Sequence, residues 1–377
     1  MKKTVEKIFF SLINFEFSKK EIEEEVKNLI TTESLRSLYE LSKKHDLAHL
    51  IADALDKNAL FCDEELKKKF LIELNKAVFR DEQRKYEFNK VSDVLFDAKI
   101  PFLPLKGIEI SKLYPKTWMR TSCDIDILVK KEDLEKTKNI LVDRLDYVLK
   151  TQTDHDVSLF SKSNVNLELH FSLFDDDRLK DLLRDVWEYT VIENGQFKMT
   201  NEMMYSYHIV HMAKHFKLGG IGVRYFIDEW LIRKKLYFTN ENELLKKANL
   251  LVFTNQIKNV SDVWFEGKEN DIFDIEQYVL YSGLYGNLEN NVLIKTAKKG
   301  KIKFLFSSIF LSFDCLKIQY PILLKHKWLA PFCQVARWFK LLFGKSRKHT
   351  KIKLKAIKSD KDKKQEWIKD LFKKLDI

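Results

Sequence analysis

The run DIDILV, Asp124–Val129, sets two carboxylates into an otherwise apolar stretch. In a strand, side chains two residues apart share a face. Asp124 and Asp126 therefore point one way, and Ile125, Ile127 and Val129 point the other way, into a core. Two carboxylates so close repel each other, and one is forced to take a proton unless a cation neutralises them. Magnesium suits the place, because it takes carboxylate and phosphate oxygens and keeps few protein ligands.

The neighbouring sequence extends this site. In VNLELHFSL, Glu168 and His170 fall on one face and Leu167 and Leu169 on the other. If this strand lies beside DIDILV, Glu168 reaches the aspartates. Three acids can hold two metal ions that clamp the oxygens of a phosphoryl displacement. Glu168 is also a candidate base for an acceptor hydroxyl, or a strand glutamate that simply faces water. Upstream, Leu105-Lys106-Gly107 ends a short apolar run. Gly107 allows a phosphate close to the backbone, the following helix offers free N–H groups, and Lys106 adds charge. Arg120 either forks onto triphosphate oxygens or holds the loop through a salt bridge.

The flanking sequence is mostly helical. Residues 1–97 place apolar side chains at three- and four-residue spacing, with a separate polar helix expected near Arg80–Asp97. Residues 98–176 read as an α/β core. Pro101 and Pro104 limit the first strand to a short or edge piece, a short helix and DIDILV follow, then a helix and three alternating strands. The fold class expected is α+β with a small mixed sheet between helical regions. From Arg178 the pattern returns to helices, giving a C-terminal domain over 177–343 and a basic tail helix over 344–377. His208, His211 and His215 share a helical face as core, substrate-facing or metal-binding residues. Arg224 and Asp228, four apart, are expected to pair with each other.

The net charge of +11 is concentrated near the end of the chain. The tail is either a solvated helix or a weak contact for anionic membrane or nucleic acid. Four cysteines without metal spacing suggest reduced, mostly buried thiols. The N-terminus reads as a helix and not a signal peptide. The apolar stretch near Phe304–Phe313 falls short of the roughly 18 residues a spanning helix needs. A cytoplasmic protein is expected.

These residues resemble the uncharacterised nucleotidyltransferase family of the polymerase-β-like superfamily. The resemblance rests on Leu105-Lys106-Gly107, Tyr114-Pro115, Arg120, Asp124-x-Asp126, Glu168-Leu169-His170, HIVHMAKHF, GIGVRYFIDEW and the closing segment with Tyr320-Pro321. It implies a polymerase-β-like fold and magnesium-dependent transfer of a nucleoside monophosphate, with ATP the expected donor, to a hydroxyl of a small molecule, glycan or protein. In that reading Asp124, Asp126 and Glu168 are the metal and catalytic residues, and Lys106, Gly107 and Arg120 hold the triphosphate. His170, His211, His215 and Arg224 are candidates for the acceptor side. The wider superfamily prefers Ser or Gly after the cradle glycine, where this chain has Ile108. An inactive binding relative therefore stays open, as does a glycosyltransferase that uses the Asp-x-Asp pair on a nucleotide sugar.

Overall fold

The computed structural model describes residues 2–153, 156–173, 186–193, 195–239, 242–284, 286–343 and 362–377. The chain divides into two units, one of Met1–His211 with Val223–Ile272, the other of Met212–Gly222 with Phe273–Ile377.

The first unit opens with five helices: α1 (Lys2–Ser18), α2 (Glu24–Asn28), α3 (Thr32–Lys44), α4 (Ala48–Lys57) and α5 (Glu64–Asp97). Helix α5 is one unbroken element of 34 residues, where two helices were expected. Asp63 starts it by accepting a hydrogen bond from the Leu66 N–H at 2.9 Å. It runs on because no Gly or Pro interrupts it, and because its polar residues include buried Asp81, Arg84 and Glu87.

The sheet follows, from β1 (Phe102–Pro104), helix α6 (Lys106–Ser111), β2 (Asp124–Val129), helix α7 (Leu134–Leu145), β3 (Val148–Gln152), β4 (Asp156–Phe160) and β5 (Asn166–His170). The strand order is β1-β2-β5-β4-β3. Only the β2–β5 pair is parallel, so the sheet is mixed and the α+β expectation holds. Strand β1 is a three-residue edge, as its prolines require. One sheet face carries Ile125, Ile127, Val129, Val157, Leu159, Leu167 and Leu169. These pack with Val91 and Leu95 of α5 and Leu134 and Leu141 of α7 in one core. Alternation then leaves the opposite face to Asp124, Asp126, Glu168 and His170.

Beyond the sheet, β6 (Thr190–Glu193) and β7 (Gln196–Met199) form a hairpin where only helices were expected. The Asn-Gly dipeptide at 194–195 between short alternating runs was the available signal, and Gly195 has the positive φ such a turn needs. The His-rich helix Asn201–Leu218 comes next; the division between units falls within it. The helices Val223–Lys235 and Leu251–Glu266 complete the first unit's helical part, with a shorter one at Asn242–Lys247.

The second unit is helical among its described residues. Phe216 packs on Tyr278, whose hydroxyl donates to the Phe216 carbonyl at 2.8 Å. The last helix, Asp362–Lys374, buries Ile368, Leu371 and Phe372, and Trp367 donates to Asp274 at 2.9 Å. The tail's end is thus anchored by an apolar face; its run at 344–361 lies outside the described residues. Among the described residues, no helix is long and apolar enough to cross a membrane. The cysteines depart from expectation: Cys62, Cys123 and Cys315 are exposed and Cys333 is half-buried, because they sit at element ends and outer helix faces.

Gly220, in the LGGIG turn, has φ +113°, and an added Cβ would stand 2.0 Å from Ser282 Oγ. Gly220→Ala should lower stability by about 2–4 kcal/mol. A urea unfolding midpoint equal to wild type would contradict that packing.

Candidate active site

The parallel register sets Asp126 directly opposite Glu168 and Leu128 opposite His170. Asp126, Glu168 and His170 each bring one donor atom to within 4.8 Å of the other two. His170 Nε2 lies 3.0 Å from Asp126 Oδ1 and 3.6 Å from Glu168 Oε2. Asn166 donates to Glu168 Oε1 at 3.2 Å. Asp124, one step earlier on the same face, accepts from the Ser122 hydroxyl at 2.8 Å. The structure therefore joins Asp126 and Glu168 as the alternation predicts, and adds His170 to them as a direct partner.

The electrostatics follow from this crowding. Burial, then the charges of Asp126 and Asp124, push the Glu168 carboxyl up to about 7. Burial and Asp126 likewise raise Asp124. Desolvation acts on half-buried Asp126 too, but the His170 hydrogen bond and the Lys106 charge outweigh it and hold the group below the usual carboxylate range. Without a metal, Glu168 thus holds a proton more readily than Asp126 does.

The cradle is built on β2. The Leu105 N–H donates to the Asp126 carbonyl at 2.9 Å, which brings the start of α6 beside the aspartates. Lys106 Nζ lies 4.9 Å from the centre of the Tyr207 ring, and its charge acts on both aspartates. Gly107 is buried, and a Cβ there would stand 3.2 Å from Ser122 Oγ. Close packing against Ser122 is thus one physical reason for the glycine. Ile108 turns into the sheet's core.

Of the two roles expected for Arg120, the geometry shows the salt bridge. Its Nε and Nη2 donate to the two oxygens of Asp228 at 2.9 and 2.8 Å, and the pair is buried. The Tyr114 hydroxyl donates to the same carboxylate at 2.7 Å. Burial alone would raise Asp228, but Arg120 overrides it and holds the group below its ordinary range. The expected Arg224–Asp228 pair is replaced by this one. Arg224 instead donates to the Thr121 carbonyl at 2.7 Å and lies 3.5 Å from Asp46.

Two further residues were not singled out in the sequence. Arg84 on α5 donates to Asp81 at 2.7 Å and to the Ser122 carbonyl at 3.3 Å, and Thr117 donates to the other Asp81 oxygen at 2.6 Å. His49 on α4 is bonded to the Met119 carbonyl at 2.9 Å. The loop that delivers β2 is therefore held at Met119, Thr121 and Ser122 by three side chains from three helices. In the helical sequence, Asp81 and Arg84 look like any exposed i,i+3 pair; only their burial distinguishes them.

The histidines of the long helix separate. His208 is buried and bonded to the Tyr225 carbonyl at 3.0 Å, a core role. His211 stacks on the Tyr225 ring at 5.9 Å. His215 belongs to the second unit, where its carbonyl accepts from the Gly220 N–H at 3.2 Å.

The family model described as uncharacterised nucleotidyltransferase matches residues 32–260. The chain belongs to that family. The match takes in the sheet, the acid cluster, the Arg120–Asp228 pair and the helices that hold the loop. No curated protein matches the chain. Membership in the nucleotidyltransferase family agrees with a mixed sheet that bears acids on one face.

Two outcomes follow from this geometry. Asp228→Ala leaves Arg120 charged, buried and unpaired, and should cost about 3–5 kcal/mol in urea unfolding; a loss under about 1 kcal/mol would contradict the buried pair. Glu168, raised from its ordinary 4.5 to about 7, binds more protons folded than unfolded between those values. Its contribution to stability therefore falls as pH rises from about 4.5 and is fully lost above about 7. Glu168→Gln should be more stable than wild type by on the order of 1 kcal/mol at pH 8 and nearly equal to it at pH 4. The reverse order in metal-free thermal melts would refute the crowding.

Proposed function

We propose that this chain is a nucleotidyltransferase of polymerase-β-like fold that moves a nucleoside monophosphate from a nucleoside triphosphate, ATP being the expected donor, to an acceptor hydroxyl. The observation that carries the reading is the convergence of Asp126 and Glu168 from adjacent parallel strands, with Asp124 on the same face. Crowded carboxylates that force a proton onto one member are a donor set that suits a small divalent cation. Asp124, Asp126 and Glu168 are the residues that would hold magnesium, with His170 beside them. When bound, magnesium would neutralise phosphate charge and act as a Lewis acid.

The side chains have separable tasks. Glu168, on the strand beside the aspartates, suits removal of the proton from the acceptor hydroxyl. His170 orients Asp126 through their hydrogen bond. Lys106 and the backbone at Gly107 lie beside the aspartates and suit the triphosphate. Arg120 is committed to Asp228 and supports the loop instead. Ser122, whose hydroxyl is the closest neighbour of Gly107's missing Cβ, offers a hydroxyl at the cradle that Ile108 does not. Arg224, His211 and His170 stay on the acceptor side of the proposal; His215 is left as a second-unit residue. Catalysis in this arrangement is chiefly positioning and charge neutralisation.

An inactive binding relative is the second reading, and the apolar Ile108 after Gly107 is the observation that favours it. A sugar-nucleotide glycosyltransferase is less well supported, because the sheet has five strands with one parallel pair and not a large doubly wound order.

Labelled triphosphates, each with magnesium and a pool of cell metabolites and proteins, should yield labelled product with the wild type. Asp124→Ala/Asp126→Ala should reduce transfer by about 100-fold or more. Equal transfer by both proteins would remove the reaction from these residues, and no magnesium-dependent ATP binding by the wild type would favour the inactive relative. Glu168→Gln should lose most of the transfer, because it removes a carboxylate from the metal set and the candidate base together.

A further inference from the structure

We propose that the stretch Lys301–Phe343 of the second unit is a docking face for an anionic lipid bilayer surface, with aromatic side chains entering the headgroup layer and lysines meeting lipid charge. This goes beyond the transfer reaction and does not depend on it. Phe306, Phe310, Trp328 and Phe332 are 62%, 53%, 69% and 66% exposed. Scattered apolar side chains on a surface are ordinary, whereas a cluster of large ones marks an interaction site.

These rings belong to a built surface. The carbonyl of Ile309, at the end of the helix Lys301–Ile309, accepts from Arg337 Nη1 at 2.9 Å and from Trp338 Nε1 at 2.8 Å. The Ser308 carbonyl accepts from Arg337 Nη2 at 2.7 Å. Side chains of the helix Ala330–Phe343 thereby cap the first helix and fix the two together. Phe306 stacks on Phe310 at 6.3 Å, Phe310 meets Trp338 edge-on at 5.4 Å, and Trp328 meets Phe332 edge-on at 6.4 Å.

Charge selects the occupant. Residues 301–343 hold seven Lys and Arg against one acid, Asp314. The sequence at 344–361 adds eight more against Asp360 alone. Residues 301–361 thus carry net +13, more than the +11 of the whole chain. Exposed Lys325 and Lys327 directly precede Trp328. Basic residues interleaved with Phe, Trp and aliphatic side chains are the pattern of an interfacial segment on anionic lipid. Nucleic acid would use the lysines and could stack on the rings, but exposed Ile309, Ile322 and Val335 offer it neither charge nor a π-face. Acyl chains accept them. No helix among the described residues can span, so the contact is with the surface.

Full-length protein should be sedimented with phosphatidylcholine vesicles, with and without about 30% phosphatidylserine. Binding should be about tenfold tighter with the anionic lipid and should weaken as salt rises. Phe306→Ser/Trp328→Ser/Phe332→Ser should lower vesicle affinity about tenfold or more, with circular dichroism and thermal unfolding as in wild type. Lys325→Glu/Lys327→Glu, which leaves the rings in place, should lose much of the preference for anionic lipid. Failure of the wild type to bind either vesicle, or equal binding by wild type and both variants, overturns the proposal. So does retention of an RNA oligonucleotide by the wild type with no vesicle binding.

Discussion

Everything at the acid cluster depends on a repulsion that the fold relieves at Asp126 but leaves at Glu168. The β2–β5 register places Asp126 beside Glu168, with Asp124 close enough for both aspartates to raise the glutamate's proton affinity. A structural sheet would put apolar or hydrogen-bonding side chains there. Instead His170 lies 3.0 Å from Asp126 and 3.6 Å from Glu168, and the crowding raises the proton affinity of Glu168. A cation in that place would remove the conflict. The site is thus less stable than it could be without one, a cost usually met where function requires it.

The opposing investment is in the loop before β2. His49, Arg224 and Arg84 donate to the carbonyls of Met119, Thr121 and Ser122, and Arg120 locks onto Asp228 with Tyr114. These side chains come from α4, α5 and the helix Val223–Lys235, so β2 enters the sheet from a point fixed in several directions. Buried arginines are costly to desolvate, and their pairing recovers the cost only where geometry is good. The two-point contact of Arg120 with Asp228 meets that requirement. The result is an acid cluster whose position is set before any ligand arrives.

The sheet and its two faces were legible in the sequence because period-2 alternation is a local signal. DIDILV, HDVSLFSK and VNLELHFSL each announce which side chains face the core, and Pro101 and Pro104 announce an edge. The α+β class followed from that, and the union of Asp126 with Glu168 followed once the two strands were taken as neighbours, which the β2–β5 pairing bears out. Partners chosen across the fold were not legible. Spacing by four suggested Arg224 with Asp228, yet Asp228 is taken by Arg120 across 108 positions. Nor does a helical run such as RDEQRKY show that Asp81 and Arg84 are buried while their neighbours are wet. Hairpin β6–β7 was missed because its strands are four residues each, too short for alternation to stand out.

The residues that make the family resemblance therefore fall into two physical kinds. Asp124, Asp126, Glu168 and His170 have their polar atoms on the sheet face that the core does not use, and their arrangement costs stability. Tyr114, Arg120 and Asp228 are buried around one carboxylate and meet each other's hydrogen-bonding needs. The first kind has the chemistry to act on a substrate, and the second supports the position from which it would act. A relative could keep the second kind, lose the first and still fold, whereas the reverse would leave the acids on a strand with no fixed entry. The Tyr-Pro and Arg motifs thus bear chiefly on the fold, and the acids on β2 and β5 are what the proposed reaction would use.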